Sequence, residues 1–230
     1  MAATANLNVA PIEANFSLKD RIYATLRDAI TSMNIYAEDA QLRLDERELS
    51  DKLAISRTPI REALARLEQE GLVRIVPRRG VFIVRKTKAE ILEMITVWAA
   101  LESMAARLVT EHASDEEIAS LRKLFTTFED DAASARIDEY SRRNIDFHSR
   151  ILKLSKCELL NDMASNLFIH MRSIRARTIS EDNRAKRSII DHMHIIEAIE
   201  ARDTDLAERL VREHTLNLAA HVAANVDYLE

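Results

Sequence analysis

Six arginines fall within residues 56–80, at positions 57, 61, 66, 74, 78 and 79, against three acids, Glu62, Glu68 and Glu70. A guanidinium forks onto phosphate oxygens and onto the O6/N7 edge of guanine, so an exposed cluster of this kind suits nucleic acid. A second group offers other chemistry. All seven histidines lie beyond residue 111. His148, His192 and His214 each interrupt an apolar stripe at helical spacing, and Asn144 stands four residues before His148 on the same face. Imidazole nitrogens with an amide oxygen, converging from facing helices, can ligate a divalent metal. His170 and His221 also lie on apolar stripes, so hydrogen-bonded core histidines account for the same pattern at this point.

The elements that must position these residues follow from composition. The chain has 230 residues, 47% hydrophobic and 31% charged, with two glycines and three prolines. Gly71, Gly80, Pro59 and Pro77 fall between residues 59 and 80, and Val81–Glu230 contains neither residue type. Such a chain reads as mostly helical, which excludes a large β-sandwich, a glycine-rich nucleotide fold and a disordered chain. One cysteine, Cys157, excludes a disulfide framework. The N-terminus shows no signal-peptide pattern and no apolar run is long enough to span a bilayer, so a cytoplasmic protein without a membrane partner is expected. The net charge of −5 divides unevenly: residues 1–85 hold 13 Lys+Arg and 12 Asp+Glu, the remainder 20 and 26. One module meets an anion and the other does not.

Three organised parts are expected: a flexible tail over 1–16, an N-terminal module over 17–85 and a helical module over 86–230. In the first module, Leu18, Ile22, Leu26, Ile30 and Met33 form one stripe. Asp45 and Glu48 resemble a capping box that opens a second helix. Ser56 caps a third, with Pro59 in its first turn and Gly71 just past its end. Val73–Val76 and Val81–Val84 flank Pro77-Arg78-Arg79-Gly80, which predicts a hairpin. Helix, helix, turn, helix and a basic hairpin make a winged helix-turn-helix, whose second motif helix enters the major groove. Ser56, Arg57, Thr58 and Arg61 would then face DNA, with Arg78 and Arg79 at the wing.

Residues 45–72, DERELSDKLAISRTPIREALARLEQEGL, resemble the signature of the GntR family of bacterial transcription regulators. The resemblance covers about 17–84. It implies DNA contacts at Arg47, Arg57, Thr58, Arg61 and Gly80 with its neighbouring arginines.

In the second module, boxes at Thr87/Glu90, Ser114/Glu117 and Asp205/Glu208 predict helix starts. Six helices are expected, over 88–112, 115–133, 138–155, 158–179, 183–202 and 205–229. This half resembles the all-helical, FCD-type effector domain of the FadR subgroup, in its six-helix, VanR-like variety. That likeness implies a metal held by Asn144, His148, His192 and His214, with Zn²⁺ the expected ion and Ni²⁺ or Mn²⁺ as alternatives. It also implies a small carboxylate effector. Two positions depart from the family pattern: Asn144 stands where many members have aspartate, and Trp98 stands where an arginine usually meets the carboxylate. Arg172 and Arg175 are the replacement candidates, with Trp98 and His170 as further effector-binding candidates.

The function expected is that of a homodimeric regulator, a repressor by family habit, on palindromic double-stranded DNA, and not an enzyme. Two alternatives stand beside it: a metal-dependent hydrolase, and a dimerisation module with structural histidines and no effector.

Overall fold

The computed structural model describes residues 18–37, 39–126, 128, 136–181, 183–227 and 229; the predicted tail over 1–16 lies outside them. The chain divides into two compact units. One holds the residues up to Ala29 together with Arg43–Ile83, and the other holds Ile30–Leu42 with Val84–Glu230. The second boundary of the first unit falls at Ile83–Val84, and the assignment of 30–42 to the second unit was not visible in the sequence.

The first unit holds α1 (Leu18–Ser32) as far as Ala29, then β1 (Arg43–Leu44), α2 (Glu46–Leu53), α3 (Arg57–Gln69), β2 (Val73–Val76) and β3 (Gly80–Ile83). Ile22 and Leu26 are buried, as the α1 stripe requires, while Leu18 at its start is half exposed. Asp45 caps α2 by accepting from the backbone N–H of Arg47 and Glu48. Glu48 does not complete a box; its carboxylate lies 3.3 Å from Lys52 instead. Ile60, Ala63, Leu64 and Leu67 turn the inner face of α3 into the core. Gly71 follows that helix at φ +74, a left-handed conformation that glycine adopts without steric cost. The hairpin forms as expected, and β3 also pairs with β1, giving a sheet of order β1-β3-β2. A two-residue strand containing Arg43 carries no alternation from which to foresee it.

The second unit is helical: α4 (Lys88–His112), α5 (Asp115–Arg122), α6 (Ile137–Leu154), α7 (Glu158–Thr178), α8 (Arg184–Glu200) and α9 (Thr204–Asn225). The capping boxes at Thr87/Glu90 and Ser114/Glu117 are both complete. The box expected at Asp205 is corrected. Asp203 caps α9 by accepting from Leu206 N–H, and Asp205 and Glu208 instead receive Arg107 at 2.9 and 3.0 Å. The helix expected over 115–133 ends at Arg122. The chain continues in tighter turns, with Leu124, Phe125 and Phe128 each bonded three residues back. Those turns bury all three side chains, which a continued α-helix would spread around its axis.

α4 packs chiefly on α9 and is flanked by α6 and α7. Residues 30–42 are fastened within this unit by arginines. Arg85 donates to the carbonyls of Ile35 and Ala37 at 2.6 and 2.7 Å, and Arg177 donates to that of Tyr36 at 2.6 Å. Burial raises the Tyr36 phenol to about 12. Among the described residues no helix is long and apolar enough to cross a membrane.

Candidate functional sites

On the first unit, Ser56, Arg57, Thr58 and Arg61 are all exposed on the outer side of α3, opposite buried Ile60 and Leu64. Ser56 stands at the N-cap position but its hydroxyl makes no capping bond, which leaves it available to an approaching phosphate. Arg47 on α2 is also exposed, as are Arg78 and Arg79 at the hairpin tip. Arg78 takes φ 63, and Gly80 takes φ +111 with Arg43 Nε 3.4 Å from where a Cβ would stand. Two arginines differ from a plain basic face. Arg61 is paired with Glu46 at 2.6 Å. Arg66 lies 3.7 Å over the Tyr23 ring and pairs with Asp20 and Glu70, so it serves the packing of α1 on α3.

In the second unit, three helices bring His148 (α6), His192 (α8) and His214 (α9) together. One ligand atom from each lies within 4.8 Å of the others. All three are buried, because the apolar stripes they interrupt face the bundle core. Each ring is anchored through Nδ1: His148 to Glu102, His192 to the Tyr140 hydroxyl at 3.3 Å, and His214 to Asp191 at 2.9 Å. This leaves Nε2 on the inner side. His192 Nε2 and His214 Nε2 stand 3.2 Å apart. Arg175 donates to His148 Nε2 at 2.5 Å, so that nitrogen carries the lone pair and Nδ1 carries the proton given to Glu102.

Glu102 is the hub of the charged part of this site. It is fully buried, accepts from Trp98 Nε1 at 2.7 Å and from the Thr215 hydroxyl at 2.9 Å, and lies 3.7 Å from Arg175. Burial pushes its pKa up, against the pull of Arg175, Trp98 and Thr215. Burial drives His148 and His192 well below the usual imidazole range, and Arg175 pushes both the same way. His214 is lowered by burial too, with Asp191 opposing. Neutral imidazoles with anchored Nδ1 and inward Nε2 are the form in which histidine ligates a metal.

At this site two buried polar atoms have no hydrogen-bond partner among the described residues: Asn144 Oδ1 and Arg175 Nε. The first stands one helical turn from His148, as a further oxygen ligand would. The three histidines are so placed that they could hold a divalent ion, provided Arg175 leaves His148 Nε2. A cavity of about 540 Å³ between α8 and α9 reaches His214 and Asp191 and is also lined by Arg187, Asn217 and His221.

The effector candidates separate. Arg175 is part of the cluster, and Trp98 touches it through Glu102 while stacking on Phe168 at 5.3 Å. His170 is buried elsewhere, its charged neighbours being Lys86 and Glu90 at the start of α4. Arg172 faces a different cavity of about 210 Å³. Helical spacing explains the division: on α7, Arg172 and Arg175 are three residues apart, but only the latter is on the buried stripe with Met171 and Ile174. Glu102, Tyr140 and Asp191 were missed as anchors. Tyr140 had a visible signal, since it shares the stripe of Asn144 and His148, and Asp191 directly precedes His192.

Residues 18–83 match the family described as bacterial regulatory proteins, gntR family, and residues 93–217 match the FCD domain. This chain belongs to the GntR family and carries an FCD domain. It is a transcriptional regulator, and not an enzyme. Among its relatives are the Nta operon transcriptional regulator of Aminobacter aminovorans, 32% identical over 75% of this chain and 80% of that one. Another is the transcriptional repressor GlaR of Escherichia coli, 29% identical over 84% and 90%. The repressor RspR of the same organism is 24% identical over 78% of each chain. The solved structure of Escherichia coli McbR/YncC shares the fold, with a TM-score of 0.73 at 22% identity, covering 90% of this chain and 97% of that one.

Proposed function

We propose that this GntR-family regulator is a homodimeric repressor that reads a palindromic operator with α3 and its wing, and whose helical unit binds a divalent ion and a carboxylate metabolite. The repressor assignment rests on the relatives RspR and GlaR. The observation that carries the effector reading is the convergence of His148, His192 and His214, one ligand atom of each within 4.8 Å of the others, with the unpartnered Asn144 Oδ1 one helical turn from His148. Asn144, His148, His192 and His214 would hold the ion, with Zn²⁺ preferred over Ni²⁺ or Mn²⁺. When bound, that ion supplies a Lewis acid able to accept a carboxylate oxygen.

The chain's own residues do the rest. Glu102, Tyr140 and Asp191 hold the rings in one tautomer and orientation. Arg175 supplies the buried cation for the second carboxylate oxygen, in the role that Trp98 cannot fill. The cavity between α8 and α9 admits the metabolite, and Arg187 and Asn217 line its way in. The ligand alters operator affinity only to the extent that it binds one arrangement of the bundle better than another. At the operator, Arg57 and Arg61 read base edges, Arg47, Ser56 and Thr58 fix the helix on phosphates, and Arg78, Arg79 and Gly80 shape the wing.

A second reading has its own support. Tyr140 can donate to His192, His192 to His214, and His214 to Asp191, a chain of bonds that satisfies these rings without an ion. Protein purified without a metal-affinity tag separates the two. About one equivalent of metal per chain, lost in His148→Ala and His192→Ala together with effector release from operator, supports the first. Metal-free protein whose His148→Ala variant still responds to effector establishes the second.

A further inference from the structure

Resting on the metal reading above, we propose that Arg175 is the ion's internal stand-in: guanidinium and divalent ion exclude one another at His148 Nε2, and the ion's arrival frees Arg175 for the carboxylate ligand. The three groups concerned are all buried, with His148 1% exposed, Arg175 4% and Glu102 0%. The His148 ring is held at both nitrogens, by Glu102 at Nδ1 and by Arg175 Nη1, which donates to Nε2 at 2.5 Å. A ring nitrogen has one lone pair, which cannot serve a hydrogen-bond donor and a metal together.

Arg175 does two jobs that an ion would do. It caps that lone pair, and it brings positive charge to 3.7 Å from the Glu102 carboxylate. Its hold is nevertheless one-sided. Nη2 stands 3.5 Å from the Thr215 hydroxyl, at the limit of a hydrogen bond, and Nε has no hydrogen-bond partner among the described residues. The guanidinium is thus fixed by one close bond rather than by a bidentate fork, and that bond goes to the atom the ion requires. What Arg175 would leave behind is already arranged. Glu102 keeps its bonds from Trp98 Nε1 and the Thr215 hydroxyl and still holds His148 by Nδ1, so the ring keeps its orientation and Nε2 its lone pair. The rings of His192 and His214 stand 5.3 and 5.4 Å from it, centroid to centroid.

The exchange decides which ions and which ligands the site accepts. An ion must prefer imidazole strongly enough to expel a charged donor from it. Zn²⁺ and Ni²⁺ have that preference, whereas Mg²⁺ and Ca²⁺ seek oxygen ligands and leave Arg175 where it is. A carboxylate that arrives first finds the guanidinium already engaged. One that arrives after the ion finds a Lewis acid and a released arginine side by side. Binding is therefore ordered, ion before carboxylate, and each strengthens the other by the same factor.

The test uses zinc alone, its affinity for the full-length protein being measured by competition with a chromophoric chelator. Arg175→Met removes the guanidinium, and Arg175→Lys keeps a cation for Glu102 on a shorter side chain without a fork. Zinc is expected to bind both variants about tenfold tighter or more than the unaltered protein, because neither has the bond to His148 Nε2 to break. Lys153→Met, which removes an exposed cation from α6, should leave the affinity unchanged. Should Arg175→Met fail to fold, Arg175→Lys decides alone, since it retains the buried charge. Tighter zinc in Arg175→Met but not in Arg175→Lys would show plain charge repulsion and overturn the exchange. Zinc bound by the unaltered protein, lost in His192→Ala and no tighter in either Arg175 variant would overturn the exchange while the metal site stands. Zinc bound by none of these proteins would overturn both.

Discussion

In the proposed metal site, Asn144 is the oxygen donor beside three imidazoles. A buried amide oxygen without a donor is costly, on the order of 1–3 kcal/mol, and a cation beside it would relieve that cost. Changing Asn144→Asp adds a charge at the same position, so zinc should bind about tenfold tighter or more, as measured by competition with a chromophoric chelator. His170 offers a test that is independent of the cluster. Burial lowers its pKa to about 4, while in the unfolded chain it titrates near the ordinary value of 6.5. Above about pH 6.5 the ring is neutral in both states. As pH falls from there towards 4, the unfolded chain gains a proton that the folded one refuses, so stability declines. The loss over that interval is on the order of 3 kcal/mol, and urea unfolding of His170→Leu between pH 7 and 5 should show the decline flattened.

At the scale of elements, what was legible in the sequence was what local chemistry writes directly. Pro59 and Gly71 bracket α3, and Thr87 and Ser114 open α4 and α5 with complete boxes. The stripes of α6, α8 and α9 likewise foretold that His148, His192 and His214 are interior. The failures were places where tertiary contacts decide. The turns after Arg122 exist to bury Phe125 against Phe147 and His192, and nothing local in that segment breaks a helix. Asp203 and Asp205 are equivalent as caps until Arg107 claims the second. Arg172 and Arg175 differ only in which of them meets Glu102. Asp45 is a cap whose worth can be measured: Asp45→Ala removes the bonds to Arg47 and Glu48 and should lower the midpoint of denaturant unfolding.

At the scale of the whole molecule, the three histidines lie 44 and 22 residues apart along the chain and meet only once α6, α8 and α9 have packed. An ion held there binds the folded chain and not the unfolded one, so its free energy adds to that of folding. Zinc at about 100 times its dissociation constant should therefore stabilise the protein by about 2.7 kcal/mol. A melting temperature that rises with added zinc, falls with chelator and is insensitive to both in His192→Ala is the expected observation.

The pairing of Arg61 with Glu46 gives the DNA-reading face a built-in rival for its own arginine. An exposed ion pair of this kind is worth about 0–1 kcal/mol, whereas a bidentate contact with guanine discriminates by about 1–3 kcal/mol. Leaving the glutamate is thus favourable where the right base is presented and close to neutral where only backbone is at hand. If Arg61 reads a base as proposed, Glu46 would act as a threshold, suppressing promiscuous attachment more than it weakens the chosen site. Glu46→Gln should bind random duplex more tightly while narrowing the ratio between operator and random sequence, as read by competition titration at fixed salt.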